Sequence, residues 1–390
     1  MSKIKNLTAR KILNSRGDWT TEATVFLESG VEATASVPEG KSKGTFEAVA
    51  VSTEASIKNI QSEILETLKG VEVSDQADID GKLCELDLLD GTPNKEGLGA
   101  NSTLAVSIAC ARAGAKEKKV ELYEHIAESF GFKPEMPRFF ANLINGGLHA
   151  GSNLRFQEYM IIPKSCDAKE ASELVRLIYE SLGKELESKF GKHGTLIGDE
   201  GGYAPDFNED AEPFALLSEV LERNNLRGEV DFGLDAAASG VKASPTELTE
   251  IYRKMITDFK LFYLEDPYGE EDFEHFSNLH KEFPETLIAG DDLTVTSAEK
   301  IKLAESRKSA NAVIIKPNQR GTITEAVEAV KLAREYGWKV VASHRSGETD
   351  DDFIADFAVG VGADGLKLGA PARGERVAKY NRLLQISERL

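Results

Sequence analysis

The sequence predicts an α/β protein in two parts, an N-terminal α+β domain over residues 1–130 and a β/α barrel over residues 131–390. Three patterns carry that expectation. Short apolar–polar alternations open the chain, and helical periodicity follows them. From about residue 131, short apolar runs alternate with helical stretches to residue 390, a length usual for a (β/α)8 barrel.

Taken in order, Ile4 to Ser15, Thr21 to Glu28 and Val31 to Val37 alternate with period two, broken by Arg16-Gly17-Asp18 and Ser29-Gly30. They read as a three-stranded antiparallel meander. Thr45 to Leu68, Asp78 to Leu88 and Asn101 to Glu117 read as helices, and in the last of them Leu104, Ile108 and Ala111 keep one face apolar. Barrel strands are expected at Phe139 to Asn142, Tyr159 to Ile162, Thr195 to Ile197, Glu229 to Leu234, Leu261 to Leu264, Thr286 to Ala289, Ala312 to Ile315, Val340 to Ala342 and Gly365 to Leu368. That is one run too many for eight strands, so an early member is surplus or belongs to an irregular opening.

Hydrophobic residues make up 41% of the chain and charged ones 29%, enough for a sizeable core. The 47 basic residues against 66 acidic ones leave a net charge of −19. Such a field repels nucleic-acid phosphate, and no basic stripe overrides it, so direct nucleic-acid binding is not expected. The basic opening leads into no apolar leader, and no run approaches the roughly eighteen apolar residues of a membrane span, so a cytoplasmic protein is expected. Cys84, Cys110 and Cys166 have no C-x-x-C pairing, which leaves reduced, buried thiols as the reading.

Just past several apolar runs sits a residue able to do chemistry: Asp235, Glu265, Asp291, Lys316, His344 and Lys367, at separations of 30, 26, 25, 28 and 23 residues. One βα unit is about that long, so a common chain direction brings all of them to the C-terminal mouth of the barrel. A single acid after a strand is ordinarily an N-cap for the next helix. Three in succession instead point hard oxygen donors at one place, which suits magnesium and gives no support to zinc. Lys316, between an apolar run and a proline, reads as a buried lysine whose proton affinity falls beside a metal ion, hence as a proton acceptor.

Upstream, Glu200 sits in a glycine-rich turn, Gln157 and Glu158 introduce another run, and His149 lies in the loop Asn145-Gly-Gly-Leu-His-Ala-Gly151. Two look-alikes are set aside. Gly360-Val-Gly-Ala-Asp-Gly365 follows a helix and precedes a strand, the reverse of a dinucleotide-binding turn, and Gly40-Lys41-Ser42 lacks the upstream glycine of a phosphate loop.

Several segments together resemble the enolase family across essentially the whole chain. They include Ala9-Arg10 to Gly17, Leu98-Gly-Ala-Asn101, Leu143 to Gly151, Gln157-Glu158, Gly198-Asp-Glu200, Gly290-Asp291 to Thr296, Ser343-His344-Arg345-Ser346-Gly347-Glu348 and Gly369-Ala-Pro-Ala-Arg373. The resemblance implies an enolase-type TIM-like barrel that dehydrates 2-phosphoglycerate to phosphoenolpyruvate with two magnesium ions per site. It implies that Asp235, Glu265 and Asp291 hold the first ion and that Ser42, on a mobile loop, ligates the second. Lys316 is then the base at C2, and Glu200, with Glu158, assists loss of the C3 hydroxyl. Arg345 and Ser346 would take the phosphate and Lys367 the carboxylate side, while His149, Gln157 and His344 line the pocket. A homodimer or octamer is implied as well.

The chemistry asks for these residue types in its own right. A proton beside a carboxylate is very weakly acidic, so the dianion left by its removal must be stabilised by fixed cations, a pattern already described for the enolase superfamily. Hydroxide leaves poorly, so an acid is needed on the face opposite the base.

The sequence departs from the family pattern in three places: charged Glu39-Gly40-Lys41-Ser42-Lys43 on the first loop, only 30 residues between Asp235 and Glu265, and Asp18-Trp19 after Arg16-Gly17. These leave two competing expectations. One is a paralogue acting on a related phosphonate or carboxyphosphonate, and the other is a non-catalytic scaffold, for instance in an RNA-processing assembly.

Overall fold

A computed structural model describes residues 2–41, 44–88 and 94–390. The chain opens with the antiparallel meander expected, β1 (Ile4–Leu13), β2 (Trp19–Leu27) and β3 (Glu32–Ser36), paired in the order β1-β2-β3. Ala23, Val25, Leu27, Ala33 and Ala35 are buried along one face. That face packs on the helix Ala100–Lys118, where buried Ala105, Ala109 and Ala113 recur every fourth residue and let helix and sheet approach closely.

The helix expected from Thr45 begins only at Thr53, capped by the Ser52 hydroxyl, and continues through a widened turn, Ile60–Ile64, to Leu68. The segment before it is committed elsewhere: Ala48 N–H donates to Gln319 O and Val49 N–H to Asn94 O, each at 2.9 Å. Those donors cannot also serve a helix. The next helix, Gln76–Leu88, starts slightly earlier than expected.

The rest of the chain closes an eight-stranded barrel from β4 (Arg138–Asn145), β5 (Glu158–Pro163), β6 (Val230–Asp235), β7 (Leu261–Glu265), β8 (Leu287–Gly290), β9 (Ala312–Ile315), β10 (Lys339–Ser343) and β11 (Gly365–Lys367). Two expectations are corrected. Thr195 to Ile197 is the surplus run: Gly191–Thr195 is a 3-10 turn and Ile197 makes only an isolated bridge to Tyr203. The strands also do not share one direction, because β5 is antiparallel to both β4 and β6. The link from β4 to β5 holds only the 3-10 turn Gly147–His149 and no α-helix, so it lacks the helical crossover usual between parallel neighbours.

Phe140, Met160, Ile162, Tyr263, Ala289, Ile314 and Val341 plug the barrel interior, so functional side chains have access to its ends only. Gly365 is required there: a Cβ at this position would lie 2.3 Å from the Phe140 ring. The cysteines are free as expected, but only Cys110 is buried, and Cys166, on the loop after β5, is exposed. Arg112, on the long N-terminal helix, ties the two parts together by donating to Asp351 at 2.6 and 2.8 Å and to Asp352 at 2.9 Å. Among the described residues no helix is long and apolar enough to cross a membrane.

Candidate active site

Asp235 ends β6, Glu265 ends β7, Asp291 follows β8, Lys316 follows β9, His344 follows β10 and Lys367 ends β11, so their side chains meet at one mouth. Reversal of β5 puts its first residue, Glu158, at the same mouth, opposite Asp235 in register. Gln157 is drawn in beside it and donates to Asp235 Oδ2 at 3.1 Å. The three strand-end acids do not cap the helices that follow, since Ser244, Asp272 and Ser297 do that.

Lys367 is buried among carboxylates. Its Nζ lies 2.8 Å from Glu265 Oε2, 2.9 Å from Asp235 Oδ2 and 3.1 Å from Glu158 Oε1. Burial, and after it the neighbouring Asp235, push the Glu265 carboxyl up to about 8. Burial and then Glu200 push Glu158 well above its ordinary range. Across the ring, Lys316 is ion-paired with Asp291, and Gln319 Nε2 donates to Asp291 Oδ1 at 2.9 Å. Burial opposes ionisation of Asp291, but Lys316 and Arg345 outweigh it and hold the carboxyl below its ordinary value. Burial likewise disfavours the Lys316 ammonium, and Asp291 reverses the balance so that its pKa is raised.

Glu200 receives a ring of donors. Asn142 and Asn145 donate to Oε2 at 2.9 and 3.2 Å, His149 Nδ1 lies 3.0 Å from Oε1, and His344 Nε2 lies 3.6 Å from it. Burial opposes ionisation here too, yet His149 foremost, then His344 and Arg376, hold Glu200 well below its ordinary value. Two neighbouring carboxyls are thus driven apart, Glu158 upward and Glu200 downward. His149 is not the solvated loop residue that its context suggests, because the turn Gly147–His149 folds it inward to 5% exposure.

At the rim, Arg345 donates to both Glu47 oxygens at 3.0 and 3.1 Å and to Asn318 Oδ1 at 3.0 Å. Ser346 Oγ accepts from the Lys41 backbone N–H at 2.8 Å, while Lys41 Nζ reaches Leu148 O at 2.6 Å. The Ser42 reading lies outside the described residues.

His149, Glu158 and Glu200 place ligand atoms within 4.8 Å of one another, as do Asp266, Asp291 and Asp292, and either group could hold a metal ion. The set expected from sequence, Asp235, Glu265 and Asp291, is not so gathered: two ammonium groups divide it, Lys367 taking the first two acids and Lys316 the third. Its donor chemistry still fits a hard divalent cation, since it is all carboxylate and Glu265 carries the repulsion that a cation relieves.

Asn142, Gln319, Glu47, Asp266 and Arg376 were not foreseen. Asp266 stood in plain view beside Glu265, and its two oxygens accept the Asp291 and Asp292 N–H groups at 2.9 and 2.7 Å, fixing that turn. Two roomier clefts of about 590 Å³ lie away from the mouth, both flanking Arg112 and Asp351, whose charges are already paired.

A family model described as "Enolase, N-terminal domain" matches residues 4–126, and one described as "Enolase, C-terminal TIM barrel domain" matches residues 133–243 and 240–390. The protein named "Enolase" from Solanum lycopersicum is 39% identical over 430 residues, covering 100% of this chain and 96% of the relative. "Enolase" from Methanosarcina barkeri is 42% identical over 412, with 100% and 95% covered. Fold, family models and relatives together define a lyase built on a β/α barrel. The chain belongs to the enolase family.

Proposed function

We propose that the chain catalyses the reversible dehydration of 2-phosphoglycerate to phosphoenolpyruvate, with a capping domain over residues 1–130 and a catalytic barrel over residues 131–390. One observation carries the mechanism. In the ring order β10-β11-β4-β5-β6-β7-β8-β9, the strand that delivers Lys316 stands diametrically across from the strand that delivers Glu158. Base and acid therefore face a substrate from opposite sides, as loss of a proton and a hydroxide from opposite faces requires.

Asp235, Glu265 and Asp291 would hold one magnesium ion, which supplies positive charge at the substrate carboxylate and stabilises the dianion formed there. Lys316, once the proton it holds beside Asp291 has passed to solvent, takes the C2 proton onto Nζ. Lys367, kept protonated by its carboxylates, is a fixed positive charge on the carboxylate side. Glu158, whose carboxyl burial pushes up, would supply the proton with which the C3 hydroxyl leaves as water, passing it through Glu200 across the short gap between them. Arg345 and Ser346 take the phosphate, His149, Gln157 and His344 line the pocket, and Ser42 ligates a second magnesium ion.

A homodimer or octamer is supported by Leu13 and Trp19, exposed on the meander, and a cytoplasmic setting by three free thiols. The reading is tested by following phosphoenolpyruvate absorbance when purified protein meets 2-phosphoglycerate. Product is expected with magnesium and not with chelator. No product from folded, magnesium-loaded protein sinks the assignment.

A further inference from the structure

Arg376, on the helix Gly374–Ser387, is among the largest side chains with no exposure at all. Its nearest carboxylate oxygen is Glu375 Oε1 at 3.8 Å, beyond hydrogen-bonding reach. Its guanidinium faces backbone carbonyls instead: Arg345 O at 2.7 Å, Ser346 O at 2.8 Å and Asp199 O at 3.2 Å. The remaining contact is Nη1 to His344 Nδ1, at 2.9 Å. Gly369 leaves room for the stem, since a Cβ there would lie 3.0 Å from Arg376 Cδ.

A guanidinium has donors only and does not deprotonate in proteins, so the atom it meets on His344 must be an acceptor. Nδ1 therefore carries no proton, and in the neutral ring the proton is on Nε2. That nitrogen is buried, has no hydrogen-bond partner among the described residues and lies 3.6 Å from Glu200 Oε1.

We propose that Arg376 is a positioning residue that locks His344 in the Nε2–H form, so that a proton donor faces Glu200 and the departing hydroxyl. The same fork fixes the backbone of Arg345 and Ser346, the anion corner, and of Asp199, next to Glu200. One side chain sets the spacing of three segments brought together from distant parts of the chain. The effect on turnover rests on the dehydratase reading, whereas the tautomer does not.

The test is a long-range nitrogen–proton correlation spectrum of protein labelled at its six histidine rings, with the His344 signals identified by their loss in His344→Gln. The wild type is expected to show Nε2 protonated and Nδ1 bare. Arg376→Met is expected to lose that single pattern and to lower kcat about 100-fold, with a much smaller change in KM. Arg376→Lys, which keeps one donor, should restore the tautomer and part of kcat. An Nδ1–H or doubly protonated His344 in the wild type at neutral pH overturns the proposal, as does an unchanged pattern in a folded Arg376→Met. Should that variant not fold, the wild-type spectrum decides alone. The expected tautomer in a protein inactive on 2-phosphoglycerate would uphold this inference and defeat the dehydratase reading.

Discussion

Two lysines, Lys367 buried and Lys316 partly buried, stand at the barrel mouth and are held in opposite ways. Lys367 has three carboxylates within 3.1 Å, whereas the ion pair of Lys316 among the described residues is with Asp291 alone. A lysine among three carboxyl groups keeps its proton and serves as a fixed charge. A lysine held charged by one acid changes state when that acid is engaged elsewhere, because burial and Arg345 then press it toward neutrality. The difference teaches that residue type alone does not assign the base; the count of neighbouring charges does. In the proposed mechanism one wall of the mouth holds charge, and the other moves a proton.

The sharpest test of that division is removal of each lysine. Lys316→Ala is expected to lower kcat by about 10^4-fold while the folded state survives, since general-base contributions reach that size. Lys367→Met leaves Asp235, Glu265 and Glu158 buried without their cation, and a urea titration should show a loss of about 3–5 kcal/mol. A similar stability loss in both variants would erase the distinction between the walls.

The crowded wall should also make metal-free protein less stable as pH rises. Glu265 stays protonated up to about 8 when folded but ionises around 4.5 when unfolded, so between those values folding takes up a proton and stability falls with increasing pH. His125 acts in the opposite sense. It is buried, neither ring nitrogen has a partner among the described residues, and burial pushes it down to about 4, so its contribution is present above 6.5 and lost on acidification. Above about pH 6.5 the His125 contribution is complete, and the slope up to about 8 belongs to Glu265 together with Asp292, which burial and Asp291 push up to about 7. With chelator, Tm should drop by a few degrees across that range, and magnesium should raise Tm more at pH 8 than at pH 6.5. A magnesium shift indifferent to pH would remove Glu265 from the cation site.

The smallest effect is expected at the rim. Lys41 joins the first loop to Leu148 O and, at 3.5 Å, to Asp199, and its side chain is 44% exposed. Lys41→Met should raise KM by no more than about fivefold and leave kcat nearly unchanged, as suits an exposed pair. A large fall in kcat would place Lys41 in the proton-moving wall.

Much of the mouth was legible in the sequence because six of its residues, Asp235, Glu265, Asp291, Lys316, His344 and Lys367, directly follow or end apolar runs, and strand ends are where a plugged barrel exposes side chains. Strand direction was not legible: Glu158–Pro163 reads the same either way, and only pairing with β4 and β6 reveals that its first residue faces the mouth. Thr195 to Ile197 passed for a strand on β-prone composition, but a 3-10 turn and one bridge leave it outside the ring. The supporting residues carried no local signal. Arg376 reads as one more charged position on an amphipathic helix, and Glu47 as a helix residue, until distant segments fold against them.

The central claim, that proton removal and hydroxide loss belong to different walls, is tested most directly by exchange of the C2 proton of 2-phosphoglycerate with deuterated solvent. Wild type, Lys316→Ala and Glu200→Gln would be compared in magnesium. Product formation should be lost in both variants, while exchange should vanish in Lys316→Ala and persist in Glu200→Gln. Exchange that survives without Lys316 would contradict the account.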